Sequence, residues 1–235
     1  MIHIGIIPDG NRRWCKKNNY RIDELVSHWS KLILNFLKKN LNRRLSKYLK
    51  SINEVSFYVC SIDNINRTDN TKYLIFDFIR FLYEFYKNPE DVLKKYNIPY
   101  KKENIENCKK ILKDLTINFI GDLKLLPEDI QHIHKNIIKN NDINNKYTLN
   151  LAIAYDYNKD ILNFGRSVFK NYVRKQSNID LILRSGGEYR TSGFFPTKIL
   201  YSELFFLKKL WPEVTYKDFI NIMKKFNKRN RRFGK

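Results

Sequence analysis

Asp9, Gly10, Asn11, Arg12 and Arg13 follow one another in HIGIIPDGNRRW, His3 to Trp14. They combine a carboxylate, a residue that lets backbone approach a ligand, an amide and a pair of guanidinium groups. That set suits a diphosphate with a divalent metal: guanidinium forks match phosphate oxygens, and a carboxylate suits a hard cation. RSGGEYRTSGF, Arg184 to Phe194, repeats the theme. Arg184 and Arg190 supply forked donors, Ser185 and Ser192 add hydroxyls, and Gly186 and Gly187 open the backbone. Glu203 then stands inside the apolar stretch LYSELFF. A carboxylate there is costly unless paired or metal-bound, which makes Glu203 a candidate partner for Asp9 around Mg²⁺. Each feature also has a plainer reading: a surface turn with solvated charges, a glycine turn flanked by surface arginines, and a capping or salt-bridged glutamate.

These loops need elements to hold them. The apolar run Ile4 to Ile7 ends at Pro8-Asp9-Gly10-Asn11, which reads as a buried strand stopping in a tight loop. WCKKNNY, Trp14 to Tyr20, is short and basic. Asp23 to Lys50 has helical spacing, with Asp23 as N-cap. His28 lies near its start and gains interest only if it faces the first loop. Val55 to Val59 reads as a second strand, running into a polar loop with Asn64, Asn66 and Arg67. Thr71 to Lys87 is a helix with Leu74, Phe78, Phe81, Leu82 and Phe85 in one stripe, so it is buried or borders an apolar cavity. Asn88 to Lys113 reads as a connection with a short helical piece. Asp114 to Gly121, Tyr147 to Tyr155 and Ile179 to Leu183 read as further strands. Between them, Pro127 to Asn140 is an amphipathic helix with His132 and His134 on its solvated side, and Asn158 to Lys175 is a helix. The alternation predicts one α/β domain over residues 1–235, with a mostly parallel central sheet flanked by helices.

The chain has 235 residues, 43% hydrophobic and 14% aromatic, enough for a full core. No apolar run approaches the ~20 residues of a membrane span. Cys15, Cys60 and Cys108 are scattered and odd in number, which fits free thiols in a reducing cytoplasm. The N-terminus enters the first strand directly, so no secretory signal is expected. A net charge of +21 points to anionic partners: nucleic acid, an anionic membrane surface or phosphorylated substrates. A genome-wide bias toward Lys, Asn and Ile codons would give the same composition.

The order of motifs resembles the cis-prenyltransferases. HIGIIPDGNRRW, the SIDNINR loop at Ser61 to Arg67, DLILRSGGEYRTSGF, YSELFF, WPE at Trp211 to Glu213 and a terminal RRFG all match, across nearly the whole chain. The resemblance implies a Mg²⁺-dependent enzyme that condenses isopentenyl diphosphate onto an allylic diphosphate such as farnesyl diphosphate. It implies a homodimer and an apolar tunnel for the product, and nucleic acid is then not an expected partner. Asp9 matches the essential aspartate at the metal and diphosphates. Gly10, Asn11 and Arg13 match the allylic loop, Arg12 (often glycine in the family) and Trp14 beside them are further substrate-binding candidates, and Arg21 is a candidate for an upstream phosphate arginine. His28 and Asn64 match positions near the reacting groups, Asn64 among the catalytic ones, with Ser61 and Arg67 of the same loop as substrate-binding candidates. Arg184, Arg190 and Ser192 match the isopentenyl diphosphate site, and Glu203 a metal-binding glutamate. Arg232 and Gly234 match an Arg-x-Gly element that completes the partner subunit's site.

The chain departs from the family pattern at Ile65 (usually aromatic), at Tyr189 (usually histidine) and at YDYN after the fourth strand. The helix at Tyr73 to Lys87 and part of Asp23 to Lys50 are the expected tunnel walls. Bulky Phe76, Phe78, Phe81, Tyr83 and Phe85 would favour a short or medium product. A soluble enzyme that visits a membrane face is expected, because polyprenyl products are insoluble and basic surfaces attract anionic lipid. The competing readings are a non-catalytic accessory subunit, which typically lacks the loop residues present here, and a basic nucleic-acid-binding protein.

Overall fold

A computed structural model describes residues 1–21, 24–25, 51–67, 71–95, 100, 102–142, 144–162 and 177–232. His28 and nearly all of the expected Asp23–Lys50 helix, residues 163–175, and Gly234 lie outside them.

The strands are β1 (Ile2–Ile7), β2 (Ile52–Tyr58), β3 (Leu115–Ile120), β4 (Tyr147–Ala152), β5 (Leu181–Arg184) and β6 (Glu203–Phe206). They form one sheet in the order β3-β4-β2-β1-β5-β6, and every neighbouring pair is parallel. The chain leaves β1 for β2 on one side and later crosses to β5 on the other. β1 therefore lies at the topological switch, where open α/β sheets form a crevice at their carboxyl ends.

The helices are α1 (Asn11–Asn18), α2 (Ile62–Ile65), α3 (Thr71–Lys87), α4 (Pro89–Lys95), α5 (Lys102–Lys113), α6 (Glu128–Lys139) and α7 (Tyr216–Phe226). Both faces of the sheet are covered, as parallel strands require. α7 lays Phe219, Ile222, Met223 and Phe226 on Ile4, Leu181 and Leu183. The alternate residue Ile182 points the other way, into Phe194 and Phe195. α6 seats Ile130, Ile133 and Ile137 on Ile117, Phe119 and Leu151.

Several expectations change. WCKKNNY, which the sequence marks only as short and basic, supplies residues 14–18 of helix α1. Asn88–Lys113 holds a pair of helices, α4 and α5. LYSELFF contains an additional strand, β6. His134 is not solvated: it is half-buried, its ring 5.2 Å from that of Phe119. The α3 aromatic stripe is used for packing, since Phe78, Phe81 and Phe85 meet Val92, Leu93, Ile105 and Cys108 of α4 and α5. Among the described residues no helix is long and apolar enough to cross a membrane.

A line of polar side chains, buried at His3, Glu54, Ser56 and Asn150, crosses the amino half of the sheet. Asn118 of β3 donates to Asn150 of β4 (2.9 Å), which donates to Glu54 (2.7 Å) and Ser56 (3.0 Å) of β2. His3 of β1 closes the line, its Nε2 2.8 Å from Ser56 Oγ and its Nδ1 3.0 Å from Ser177 Oγ. Burial holds the His3 pKa below its ordinary 6.5, and nearby Lys198 adds to this. Glu54, the Ser177 carbonyl and Asp180 pull the other way.

His3 is thus neutral when folded, over a pH range where the unfolded chain protonates. The unfolded state then binds more protons, and stability falls as pH drops below 6.5. His134, also depressed by burial, has the same sign. Urea melts at about pH 5 and about pH 7.5 should show the lower midpoint at the acid end, with a smaller difference in His3→Gln. An unchanged difference in that variant would assign the effect elsewhere.

Candidate active site

Asp9 lies two residues past β1, and Arg184 is the last residue of β5. Ile7 pairs with Arg184 in the sheet, so the two meet at its carboxyl end. Arg184 Nη2 donates to Asp9 Oδ2 at 2.7 Å. Arg184 Nη1 donates to the Arg190 carbonyl (2.6 Å) and to Ser192 Oγ (2.8 Å). Arg184 is 3% exposed, so it fixes the Asp9 loop and the Arg190–Ser192 turn against each other from within.

The rest of the Asp9 loop is equally held. Its Oδ1 accepts from Gly10 N (2.6 Å) and lies 3.5 Å from Arg13 Nη2. Its carbonyl accepts from Ser185 Oγ (2.8 Å) and Trp211 N (2.9 Å). Gly10 is the N-cap of α1 at φ +100°, a conformation that residues with a Cβ rarely adopt, and a Cβ there would sit 2.7 Å from Leu210 Cδ2. This turn starts α1 directly behind the carboxylate, with Arg12 and Arg13 exposed in its first turn. A helix N-terminus followed at once by guanidinium groups favours an anion. Asn11 is spent on the loop itself, donating to the Pro8 carbonyl at 2.9 Å.

Glu188 was not foreseen. It bridges the two runs, 3.5 Å from Arg13 Nη1 and 2.5 Å from Arg190 Nη1. Its signal was its place between the glycine pair and Arg190. Trp211, from the WPE motif, buttresses Asp9 through its backbone.

Trp14 is not at the ligand face: it is 8% exposed and packs with Cys15, Leu25 and Leu74, so it anchors α1 instead. Arg21 lies beyond the far end of α1, where its N–H bonds Glu24. Glu203 is not brought to Asp9. It opens β6 in register with Leu181, which pairs with Ile4, so it lies at the amino end of the sheet. There its Oε2 is 3.6 Å from Arg229. Arg232 follows Arg231, which bonds Asp180 before β5, also at the amino end.

Ser61 and Asn64 form a reciprocal capping box at the start of α2. Ser61 N donates to Asn64 Oδ1 (3.0 Å), and Asn64 N donates to Ser61 Oγ (3.2 Å). Ser61 also bridges to Tyr155 after β4, which ties this loop to the same end of the sheet. Arg67 is half-buried after α2, and Ile65 is buried in the core. Ser61→Ala should cost about 1 kcal/mol of stability and free Asn64 to turn. A lower urea midpoint would show it, and an unchanged midpoint would mean that the box carries no stability.

A metal at this site would have Asp9 as its carboxylate, the nearby Glu188 being paired with Arg13 and Arg190. Among the described residues no group of three or more His, Cys, Asp or Glu could hold an ion. That fits Mg²⁺, which is commonly bound by one or two carboxylates plus substrate phosphates. It does not fit Glu203 as a second ligand alongside Asp9 in one chain.

The undecaprenyl diphosphate synthase family of prenyltransferases matches residues 7–234. The chain belongs to this family. It is 29% identical to the tritrans,polycis-undecaprenyl-diphosphate synthase (geranylgeranyl-diphosphate specific) of Pyrobaculum aerophilum, over 99% of this chain and 95% of that one. It is also 29% identical to an isoprenyl transferase of Rickettsia bellii, over 99% and 97% of the two chains. The fold is that of lavandulyl diphosphate synthase from Lavandula x intermedia, solved in complex with dimethylallyl diphosphate. The TM-score is 0.69 with 22% identity, over 99% of this chain and 98% of that one. The chain is thus a prenyltransferase of the cis-prenyltransferase family.

Proposed function

We propose that this enzyme condenses isopentenyl diphosphate onto an allylic diphosphate to build a cis-polyprenyl diphosphate. The observation that carries the reading is the Asp9–Arg184–Ser192 cluster at the topological switch, flanked by Arg12, Arg13 and Arg190. As the allylic diphosphate leaves, charge accumulates on its oxygens. Arg12, Arg13 and the start of α1 are placed to stabilise that charge preferentially. Arg190 and Ser192, on the neighbouring loop, hold the second diphosphate.

Asp9 would hold Mg²⁺ together with the diphosphate oxygens, and the ion supplies further neutralisation of the leaving group. Arg184 and the Gly10 N–H both bond the Asp9 carboxylate, which fixes its direction. The proton lost from the isopentenyl unit goes to Asp9, to a group near Asn64, or to a phosphate oxygen. Pairing into a homodimer, and contact with a membrane that takes up the apolar product, complete the proposal.

The test is incubation of purified protein with labelled isopentenyl diphosphate, Mg²⁺ and either farnesyl or geranylgeranyl diphosphate. Geranylgeranyl diphosphate is included because it is the specificity named for the Pyrobaculum relative. A polyprenyl ladder is expected. No incorporation with either starter, or with geranyl or dimethylallyl diphosphate, would overturn the reading in favour of an accessory subunit.

A further inference from the structure

The alternation in VSFYV marks Tyr58 only as a strand residue, yet it ends β2 at the carboxyl edge, between the Ser61–Asn64 loop and the Arg184 cluster. Its hydroxyl donates to the Ser192 carbonyl at 3.4 Å. That is longer than a typical O–H···O bond, so the hydroxyl is a modest restraint added to the stronger one from Arg184. Ser192 has φ +52°, the left-handed region, and Gly193 beside it has φ +74°. A non-glycine residue persists there only when its surroundings hold it. Here it is held from β2 by Tyr58 and from β5 by Arg184, which donates to Ser192 Oγ. Because that oxygen accepts from Arg184, its own proton is directed elsewhere, and Ser192 is exposed.

The Tyr58 ring is fixed as well. It stacks on Phe194 (centroids 5.1 Å, planes 25° apart) and meets Tyr155 edge-on at 5.9 Å. Burial, with Cys60 and Asp63 adding to it, pushes the phenol pKa up to about 12, against the pull of a Ser61 hydrogen bond and the Arg184 charge. The hydroxyl therefore remains a donor at any working pH.

We propose that Tyr58 is a positioning residue for diphosphate recognition: it holds the Ser192 turn in its left-handed conformation, so that Ser192 and Arg190 present donors to the isopentenyl substrate. The inference rests on reading the Arg184–Ser192 loop as the isopentenyl diphosphate site.

Tyr58→Phe removes the hydroxyl and keeps the ring packing. Calorimetric titration with isopentenyl diphosphate and Mg²⁺ should show binding weakened roughly 3- to 10-fold, the net worth of a single neutral hydrogen bond. Affinity for the allylic diphosphate should be unchanged, and the melting temperature should fall by no more than about 5 °C, the stability worth of the same bond. In turnover, KM for isopentenyl diphosphate should rise by the same factor with kcat retained. Unchanged affinity in Tyr58→Phe, or equal weakening toward both diphosphates, would overturn the positioning role while leaving the site reading intact. Wild-type protein that binds no isopentenyl diphosphate would remove the site reading, and the inference with it.

Discussion

Asp9→Ala should lower prenyl-transfer kcat/KM by about 10³-fold, the scale on which a group stabilising developing charge acts. The same substitution has a structural cost. Arg184 keeps its guanidinium 4% exposed and loses its only charged partner among the contacts above. Breaking a fully buried pair costs about 3–5 kcal/mol, but the Asp9 side chain is 32% exposed, so solvent reduces this to about 1–2 kcal/mol. Asp9→Asn separates the effects. Its amide oxygen can still accept from Arg184 or Gly10, so the fold should be nearly as stable as wild type, while the charge that holds metal and diphosphate is gone. The ladder should vanish in both variants, with a reduced melting temperature in the alanine variant alone. Full activity in Asp9→Asn would remove the carboxylate from the chemistry.

How much of this was legible differs element by element. The Asp9 and Arg184–Ser192 loops could be read because their cues are local. An apolar run followed by Pro-Asp-Gly-Asn, or by Arg-Ser-Gly-Gly, marks both the strand and its end. That the two loops meet is a matter of topology, and the β–α alternation already implied a parallel sheet. α1 was not legible because only Trp14 and Cys15 are buried along its eight residues, too few for a recurring apolar stripe. It is a helix because Gly10 turns the chain and Trp14 docks on Leu25 and Leu74.

Glu203 shows the opposite limit. Its unusual setting in an apolar stretch was visible, but which end of which strand it occupied was not. Parallel pairing of β6 with β5 sends it to the amino edge, where it meets Arg229. The α3 aromatics could face either a tunnel or a core, and only the presence of α4 and α5 beside them decides for packing at Phe78, Phe81 and Phe85. Tyr58 and Glu188 were missed because their significance lies in partners distant in sequence or in a turn whose shape no local rule predicts.

The glycine pair offers the other large effect, because its two members differ in surroundings although both have positive φ. Gly186 has φ +92°, and a Cβ there would lie 2.7 Å from Arg13 Nη2, 3.1 Å from the Asp9 carbonyl carbon and 3.2 Å from Asp9 Cβ. Arg13 can swing away, since its side chain is half exposed. The Asp9 backbone cannot, because Ser185 Oγ and Trp211 N both hold its carbonyl. Gly186→Ala must therefore push the Asp9 loop by a few tenths of an ångström on top of the backbone strain, and since a misplacement of about 1 Å can cost about 10²-fold in rate, a loss of about 10-fold is expected. Gly187, at φ +73°, has only Lys208 atoms near its missing Cβ, at 3.9 and 4.0 Å. Gly187→Ala should bear the backbone strain alone, about 1–2 kcal/mol, with activity within a few-fold of wild type. Measuring both variants for label incorporation and thermal stability compares steric displacement of Asp9 with strain of the same kind. Equal activity loss in the two would mean that the loop needs flexibility at both glycines, and that the contact between Gly186 and Asp9 is not what sets the position of the carboxylate.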